Sequence, residues 1–281
     1  MKHIETKVLK VHRENPEKET IKEAAKIIKK GGTVAFPTET VYGLGANCFD
    51  EEAIDKIFLA KGRPQDNPLI LHVSNVEQVY TLVESVSERA KMLMERFWPG
   101  PLTLIFNKSE KVSKKVTGGL STVAIRMPNH KVALSLIEES GVPIAAPSAN
   151  LSGRPSPTEA SHVIEDLFGK IDMIIDGGRV NIGVESTVLD ISVEIPTILR
   201  PGRVTIEDLL QVFPKVEYDP SIIKDDAKIV PKSPGQKYKH YAPKAKMIGF
   251  IGEIEDVVST ISSYTKQYIN EGKKVGIMAT E

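Results

Sequence analysis

The chain has one cysteine and no long apolar run, and each shortage excludes a class of protein. Among its 281 residues the single thiol, Cys48, excludes an internal disulfide framework and a cysteine-rich metal site. No stretch approaches the roughly 18 consecutive apolar residues of a membrane span. The charged start MKHIETKVLK also has no apolar segment of the kind that a signal peptide needs. We therefore expect a cytoplasmic protein with no membrane partner.

An excess of charge of one sign is also missing. The 37 Lys and Arg residues balance the 37 Asp and Glu residues, so the formal net charge is zero. Bulk attraction to nucleic acid or anionic lipid is therefore not expected. The six histidines have no metal-ligand spacing, which argues against a metal held by the protein. Any site for an anion must be a local cluster of cations.

Three common catalytic motifs are absent. The segment Gly43-Leu44-Gly45 lacks the third glycine of a dinucleotide-binding fingerprint, and no GxxxxGK[ST] phosphate loop occurs. The Gly-x-Ser-x-Gly elbow of serine hydrolases is missing too. Cys48 has no adjacent cation, which favours a structural thiol over a nucleophile.

What the chain does have is an alternation of short apolar runs and longer amphipathic stretches, which is typical of an α/β fold. The apolar residues of Ile21–Lys30 share one helical face, and the glycine pair that follows ends this helix. An apolar strand, Thr33–Phe36, comes directly afterwards. The same alternation continues to about residue 212 and predicts one α/β domain.

The composition changes after Phe213. From Ala227 to Lys246 there are six lysines, three prolines, one histidine and no acidic residue, a composition typical of a linker. The residues that follow indicate strand, helix and strand, and about 37 residues are too few to bury a stable core alone. We expect a first domain over 1–215, a linker over 216–244 and an incomplete α/β domain over 245–281.

Two segments share a pattern that can place polar groups together. Thr33–Thr40 and Val142–Asn150 each contain an apolar strand, then proline, then small polar residues. Ligands of open α/β sheets bind beyond strand ends, so these polar residues would meet if their strands run parallel. Turn capping is the alternative, because the same residue types dominate turns. The polar residues concerned are Thr38, Thr40, Ser148 and Asn150.

Candidate anion-binding cations occur at three places. Lys61 and Arg63 flank a glycine and precede a proline, an arrangement that suits a rigid anion clamp. Arg126 and Arg200 each end an apolar strand. A solvated loop is the alternative for the first pair, and the pattern alone leaves a functional role for the other two open.

Blocks along the chain resemble the YrdC-domain family. The opening matches over Gly32–Leu44, and the family's KxR and SxN set is matched by Lys61, Arg63, Ser148 and Asn150. Further matches are Asn67–Ile70, Trp98–Thr103, Arg126–Pro128, Gly183–Thr187 and Leu199–Gly202. These blocks occur in family order over about residues 15–210, and Ser233–Pro243 resembles the linker of the family's longer, two-domain form.

The resemblance implies an open, twisted mixed sheet with helices, and a nucleotidyltransferase activity. L-Threonine, bicarbonate (or carbon dioxide) and ATP would give threonylcarbamoyl-AMP and pyrophosphate, the first step of threonylcarbamoyladenosine formation in tRNA. A separate complex would then transfer the threonylcarbamoyl group to tRNA. The implied cofactor is magnesium carried by the ATP phosphates rather than by protein ligands. Weak binding to tRNA or another RNA is a further implied contact.

The resemblance also implies a role for individual residues. L-Threonine would be bound by Thr40, His72, Arg126, Ala146 and Ser186, with Arg126 on its carboxylate. ATP would be bound by Arg63, Asn67, Thr122, Ser148, Ser156, Arg200 and His240. Lys61, Arg63, Ser148 and Asn150 would form the catalytic set near the phosphates. Such a site acts through positioning and electrostatic stabilisation.

Several alternatives accompany the resemblance. The basic linker either closes over the ATP site or is a solvated tether. The main alternative function is a non-catalytic RNA-binding module, which the zero net charge and the lack of a stacking-aromatic motif disfavour. Carbamoyl transfer from another carbamoyl source is a third hypothesis, but the chain lacks the accessory segments of such proteins. The family's second domain is normally longer than residues 245–281.

Overall fold

The computed structural model describes residues 4–223 and 245–279. The chain divides into two compact units between Ala242 and Pro243. The first unit contains the sheet and the candidate site, and the second contains one long helix among its described residues. Within the described ranges, no helix combines the length and the apolar character needed to cross a membrane.

The first unit alternates strands and helices. Its strands are β1 (Lys7–Lys10), β2 (Val34–Pro37), β3 (Tyr42–Asn47), β4 (Ile70–His72), β5 (Leu102–Asn107), β6 (Thr122–Arg126), β7 (Ile144–Ala145), β8 (Met173–Asp176), β9 (Thr187–Asp190), β10 (Thr197–Arg200) and β11 (Glu217–Tyr218). Its helices are α1 (Lys18–Lys29), α2 (Glu51–Lys61), α3 (Val76–Leu82), α4 (Glu88–Phe97), α5 (Lys114–Thr117), α6 (Lys131–Ser140), α7 (Ala160–Leu167), α8 (Ile206–Leu210) and α9 (Pro220–Ile223). The second unit contains α10 (Ile254–Asn270).

The strands form one open sheet in the order β1-β8-β2-β3-β7-β4-β6-β5-β9-β10-β11. Neighbouring strands are parallel in the pairs β1–β8, β8–β2, β4–β6, β5–β9 and β10–β11. The other neighbouring pairs are antiparallel. The expectation of an open mixed sheet with helices is therefore confirmed.

Alternation along β2 divides the core between the two faces of the sheet. Val34 and Phe36 pack in a cluster with residues of α1 and α6, whereas Ala35 belongs to a larger cluster that includes α2 and α4. A strand directs successive side chains to opposite faces, so apolar residues at all three positions imply burial on both. All residues of β2 are buried. Polar side chains follow only after the strand has ended.

Helix α2 is fixed at both ends by residues suited to capping. The Asp50 side chain accepts hydrogen bonds from the backbone N–H groups of Glu52 and Ala53, which satisfies two donors that a helix start leaves open. Gly62 ends the helix with a φ of 59°, a left-handed conformation that glycine adopts without strain. This turn places Arg63 directly after the helix.

The first unit extends into residues that the sequence assigned to the linker. Glu217 and Tyr218 pair in parallel with β10, and α9 follows them. The backbone N–H groups of Glu217 and Asp219 donate to the carbonyls of Pro196 and Ile198. The edge of β10 that β9 does not occupy pairs with these residues. The first domain therefore extends beyond residue 215, where its end was expected.

The second unit contains the expected helix but not the two strands predicted beside it. Its described residues before and after α10 form no strand. A strand needs a neighbour for its backbone hydrogen bonds, and the described part of this unit provides none. The helix has no buried residue, which is typical of a piece that has not enclosed a core.

Candidate active site

Strand ends from across the sheet meet at one hollow in the first unit. It measures about 550 Å³ when the solvent at its mouth is counted. Its lining includes every residue that the resemblance assigns to threonine and three of those assigned to ATP. These are Thr40, His72, Arg126, Ala146 and Ser186 for threonine, and Arg63, Ser148 and Arg200 for ATP. Three of the four candidate cations therefore share one hollow.

The two strand-proline-polar segments end at the same edge of the sheet, so the condition under which their polar residues can meet is fulfilled. Both β2 and β7 pair antiparallel with β3, so they run in the same direction. Thr38 Oγ1 lies 2.9 Å from Thr40 Oγ1 and donates to the Val41 carbonyl at 2.7 Å. Thr38, Thr40 and Ser148 line the hollow, so the residues that make these turns also make the site.

Arg126 is held at the end of β6 by three groups. Its Nε donates to the Gly100 carbonyl at 3.1 Å, and its Nη1 donates to Thr40 Oγ1 at 2.9 Å. Its Nη2 lies 2.6 Å from Glu39 Oε2, but the two atoms are not aligned as a hydrogen bond. Arg126 is only 3% exposed, so the Glu39 carboxylate supplies the countercharge that its burial requires.

His72 lies beside Arg126, because β4 and β6 are parallel and these residues are register partners. Burial lowers the pKa of His72 to about 3, and the charge of Arg126 contributes to the shift. The imidazole is therefore neutral near pH 7. Its Nδ1 is buried without a hydrogen-bond partner among the described residues. A neutral imidazole can donate one hydrogen bond and accept another without adding charge to the site.

We predict that acidification destabilises the protein through His72 and a second buried histidine, His130. Burial lowers the pKa of His130 to about 4, and Arg13 adds to the shift. From their ordinary value of 6.5, the unfolded imidazoles bind protons first as the pH falls, so folded stability decreases below about pH 6.5. The expected loss between pH 7 and pH 5 is about 2 kcal/mol per histidine.

Urea unfolding at the two pH values measures this loss. His72→Asn and His130→Asn should each remove about 2 kcal/mol of the difference between pH 7 and pH 5, because asparagine does not titrate. His12→Asn, at an exposed position, controls for the histidine-to-asparagine replacement itself. A pH dependence that survives both core replacements would contradict the assignment.

Arg200 and Ser186 form a second fixed pair. Arg200 donates to the Ser186 carbonyl from Nε at 3.0 Å and from Nη2 at 2.9 Å, and Nη2 also contacts Ser186 Oγ at 3.1 Å. Thr103 Oγ1 lies 2.7 Å from the same hydroxyl. The backbone bonds hold Arg200 at the rim, while the buried hydroxyls orient Ser186.

Lys61 does not line the hollow with the three arginines. It is 2% exposed, and its Nζ donates to the carbonyls of Ser148 and Asn150, the latter at 2.5 Å. Burial lowers the pKa of Lys61 well below the usual lysine value, and the Arg63 charge adds to the shift. Through these two hydrogen bonds Lys61 Nζ supports the backbone of the loop after β7, instead of reaching into the hollow as the sequence suggested.

Asn150 supports the same loop. Its Nδ2 donates to the carbonyls of Leu151 and Arg154 at 2.8 Å, and its Oδ1 accepts from the Ser148 hydroxyl at 2.5 Å. Asp166 accepts a hydrogen bond from the Leu151 N–H at 2.9 Å. Of the four residues expected to be catalytic, two therefore line the hollow and two hold the loop that presents Ser148.

Three of the described residues assigned to ATP are not in the lining. Asn67 is buried near Arg63, whose Nε donates to the Asn67 carbonyl at 3.3 Å. Thr122 begins β6 and lies about 13 Å from Arg126, at the other end of the strand. The Ser156 hydroxyl donates to Glu185 Oε1. His240 lies outside the described residues, as does most of the linker on which the lid hypothesis rests.

Two carboxylates at the site were missed from the sequence. Glu39 lies beneath Arg126, and Glu185 lines the hollow. Both stand inside the segments that carry the resemblance, next to Thr40 and Ser186 respectively. A pattern of cations does not indicate these acidic residues, but the need of a buried arginine for a countercharge is a signal that points to Glu39.

Family models match nearly the whole chain. The Sua5/YciO/YrdC model, described as "Telomere recombination", matches residues 26–202. The model described as "Threonylcarbamoyl-AMP synthase, C-terminal domain" matches residues 204–281. The threonylcarbamoyl-AMP synthase of Pyrococcus abyssi is 52% identical over 95% of this chain and 78% of its own length. That of Bacillus subtilis is 51% identical over 93% of this chain and 74% of its own.

Solved structures agree with these matches. A crystal structure of P. abyssi Sua5 complexed with L-threonine has a TM-score of 0.93 and 50% identity, covering 98% of this chain and 82% of that one. E. coli YciO has a TM-score of 0.67 and 26% identity, covering 72% of this chain and 98% of that one. The second similarity therefore covers less of this chain than the first.

Proposed function

The chain belongs to the Sua5/YciO/YrdC family and is a nucleotidyltransferase of the threonylcarbamoyl-AMP synthase kind, and from that premise we propose its substrates. L-Threonine, bicarbonate (or carbon dioxide) and ATP react to give threonylcarbamoyl-AMP and pyrophosphate. The observation that carries the proposal is the convergence of Arg63, Arg126 and Arg200 on one hollow with the hydroxyl groups of Thr40 and Ser148. Guanidinium and hydroxyl groups together suit a site that must hold several anionic groups.

The threonine end of the hollow lies around Arg126. Its guanidinium, already fixed by Thr40 and Gly100, pairs with the substrate carboxylate through the Nη1 side, because Nη2 is buried against Glu39. The neutral imidazole of His72 offers a hydrogen bond without changing the charge of the site. Fixed donors of this kind need no rearrangement when the substrate arrives.

The nucleotide end lies around Arg63, Ser148 and Arg200. The amine of threonine is first carboxylated to a carbamate. A carbamate oxygen then attacks the α-phosphorus of ATP in line, and pyrophosphate leaves. Negative charge grows on the phosphoryl and leaving-group oxygens, so positively charged groups held nearby lower the barrier. No covalent intermediate with the protein is required.

Magnesium is proposed to enter with ATP. In the parts of the chain that the structure describes, no group of three or more His, Cys, Asp or Glu residues is arranged to hold a metal ion. The oxygen donors at the hollow, among them the Ser148 hydroxyl and the Glu185 carboxylate, suit a hard cation whose main ligands are phosphates. When bound, magnesium neutralises part of the phosphate charge.

The proposed setting is the cytoplasmic modification of tRNA. The labile product would pass to a separate complex that transfers the threonylcarbamoyl group to tRNA. Contact of this chain with tRNA or another RNA would be weak, since its net charge is zero.

Pyrophosphate release with each substrate omitted in turn tests the proposal. We expect release only when threonine, bicarbonate and ATP are all present. Valine, which has the shape of threonine without its hydroxyl group, is the matched control substrate and should be used poorly. Release that ignores threonine contradicts the proposal, and RNA binding without any turnover would favour the non-catalytic RNA-binding module instead.

A further inference from the structure

Glu185 places a carboxylate in a hollow whose other charged lining residues, within the described part of the chain, are Arg63, Arg126 and Arg200. A negative charge there opposes the binding of phosphates and of the threonine carboxylate. A carboxylate at this position can instead face a cation, either the magnesium that enters with ATP or a cationic group of a substrate. Among the organic groups of the proposed substrates, the α-ammonium of threonine is the cation.

The backbone around Glu185 is fixed against the threonine end of the site. The N–H of Ile182 donates to the Glu39 carbonyl and that of Gly183 donates to the Thr40 carbonyl, both at 3.0 Å. Gly202 lets the chain pass close by, since a Cβ at that position would lie 2.5 Å from the Glu185 carbonyl oxygen. These backbone hydrogen bonds therefore fix the position of the loop that contains Glu185 relative to the turn that contains Thr40.

The Glu185 side chain is fixed from the nucleotide end. Oε1 accepts a hydrogen bond from the hydroxyl of Ser156. The segment after Ser156 is itself tied to the sheet, because the Tyr42 N–H donates to the Pro157 carbonyl at 2.9 Å. Ser186, the next residue along the chain, is among the residues proposed to bind threonine. Glu185 thus contacts a residue assigned to ATP and precedes one assigned to threonine, while its own side chain lines the hollow.

We propose that Glu185 binds the α-ammonium of threonine and accepts one of its protons. The N–H bond breaks, the proton goes to the carboxylate, and the nitrogen keeps the electron pair. The free amine then adds to bicarbonate, giving the threonine carbamate and water, or to carbon dioxide, giving the carbamate and a proton for the solvent. Glu185 later returns its proton to the solvent. This role rests on the proposed function.

Glu185→Gln is the first test. Glutamine keeps an oxygen for the Ser156 hydroxyl but carries no charge and accepts no proton. We expect kcat for pyrophosphate release to fall about 10²-fold or more, as for loss of a general base. The KM for threonine should rise, while the KM for ATP and the magnesium concentration for half-maximal rate stay unchanged. Glu139→Gln, at an exposed position on α6, is the matched control and should behave as the wild type.

Glu185→Ala with added formate is the second test. A small carboxylate can occupy the space left by the side chain, so formate should restore the rate roughly tenfold in this variant and not in the wild type. Because the comparison uses one protein sample with and without formate, a change in folding cannot mimic the result. Chloride at the same concentration controls for ionic strength.

The outcomes separate this inference from the proposed function. If the wild type releases pyrophosphate without threonine, the proposed function fails. If the wild type needs all three substrates but Glu185→Gln keeps its full rate, the inference alone is wrong. A raised magnesium requirement with an unchanged threonine KM would mean that the carboxylate meets the metal instead. Loss of rate without formate rescue would also overturn the inference.

Discussion

Arg126→Ala is expected to lower kcat/KM for threonine about 10³-fold, because the substrate carboxylate loses a charged hydrogen-bond partner. The KM for ATP should change much less. The same replacement should lower the free energy of unfolding by about 3–5 kcal/mol, since it leaves the Glu39 carboxylate buried without its countercharge. Steady-state kinetics and urea unfolding measure the two effects separately.

A second change at Glu39 separates binding from stability. In the Arg126→Ala background, Glu39→Gln removes the unpaired charge, so much of the lost free energy of unfolding should return. Threonine use should not return, because the substrate still lacks Arg126. Arg96→Ala, at an exposed position on α4, controls for loss of an arginine. If the ATP requirement rose more than the threonine requirement, Arg126 would have been assigned to the wrong substrate.

Lys61→Met is expected to reduce pyrophosphate release about 10³-fold although Lys61 does not line the hollow. Methionine has a similar volume but no donor, so the carbonyls of Ser148 and Asn150 lose their partner. Each buried acceptor left unsatisfied costs about 1–3 kcal/mol. The loop that presents the Ser148 hydroxyl should therefore shift, and nucleotide binding should weaken together with turnover.

Isothermal titration with ATP and the turnover assay measure the two quantities. Lys56→Met is the matched control, since Lys56 lies on the same helix, is exposed and contacts one carbonyl, that of Gly31 at 2.6 Å. It should retain both properties. Normal nucleotide affinity with lost turnover in Lys61→Met would show that the ammonium group acts on the reacting phosphates, as expected from the sequence.

The strand ends of the site were predictable because local patterns determine them. An apolar run followed by proline and small polar residues indicates where β2 and β7 stop, and the direction of the strands then brings Thr38 and Ser148 to one edge. The strand-terminal positions of Arg126 and Arg200 are evident from the same pattern. In each case the path of the backbone alone determines the position of the residue.

The direction of a long side chain was not predictable in this way. Lys61 and Arg63 are two residues apart, yet Gly62 turns the chain between them. As a result, Lys61 Nζ hydrogen-bonds the loop backbone, whereas Arg63 lines the hollow. Glu39 and Glu185 were missed for a related reason. Their roles depend on partners distant in sequence, Arg126 and Ser156, which become neighbours only in the folded sheet.

The order of strands in the sheet also bears on how the protein is made. Thr40 follows the second strand, but Ser186 and Arg200 stand at β9 and β10, which join the sheet beside β5. A nascent chain emerging from the ribosome therefore cannot assemble the hollow until Arg200 has been released from the exit tunnel. Capture of substrates during translation is thereby delayed until nearly the entire first unit has been synthesised.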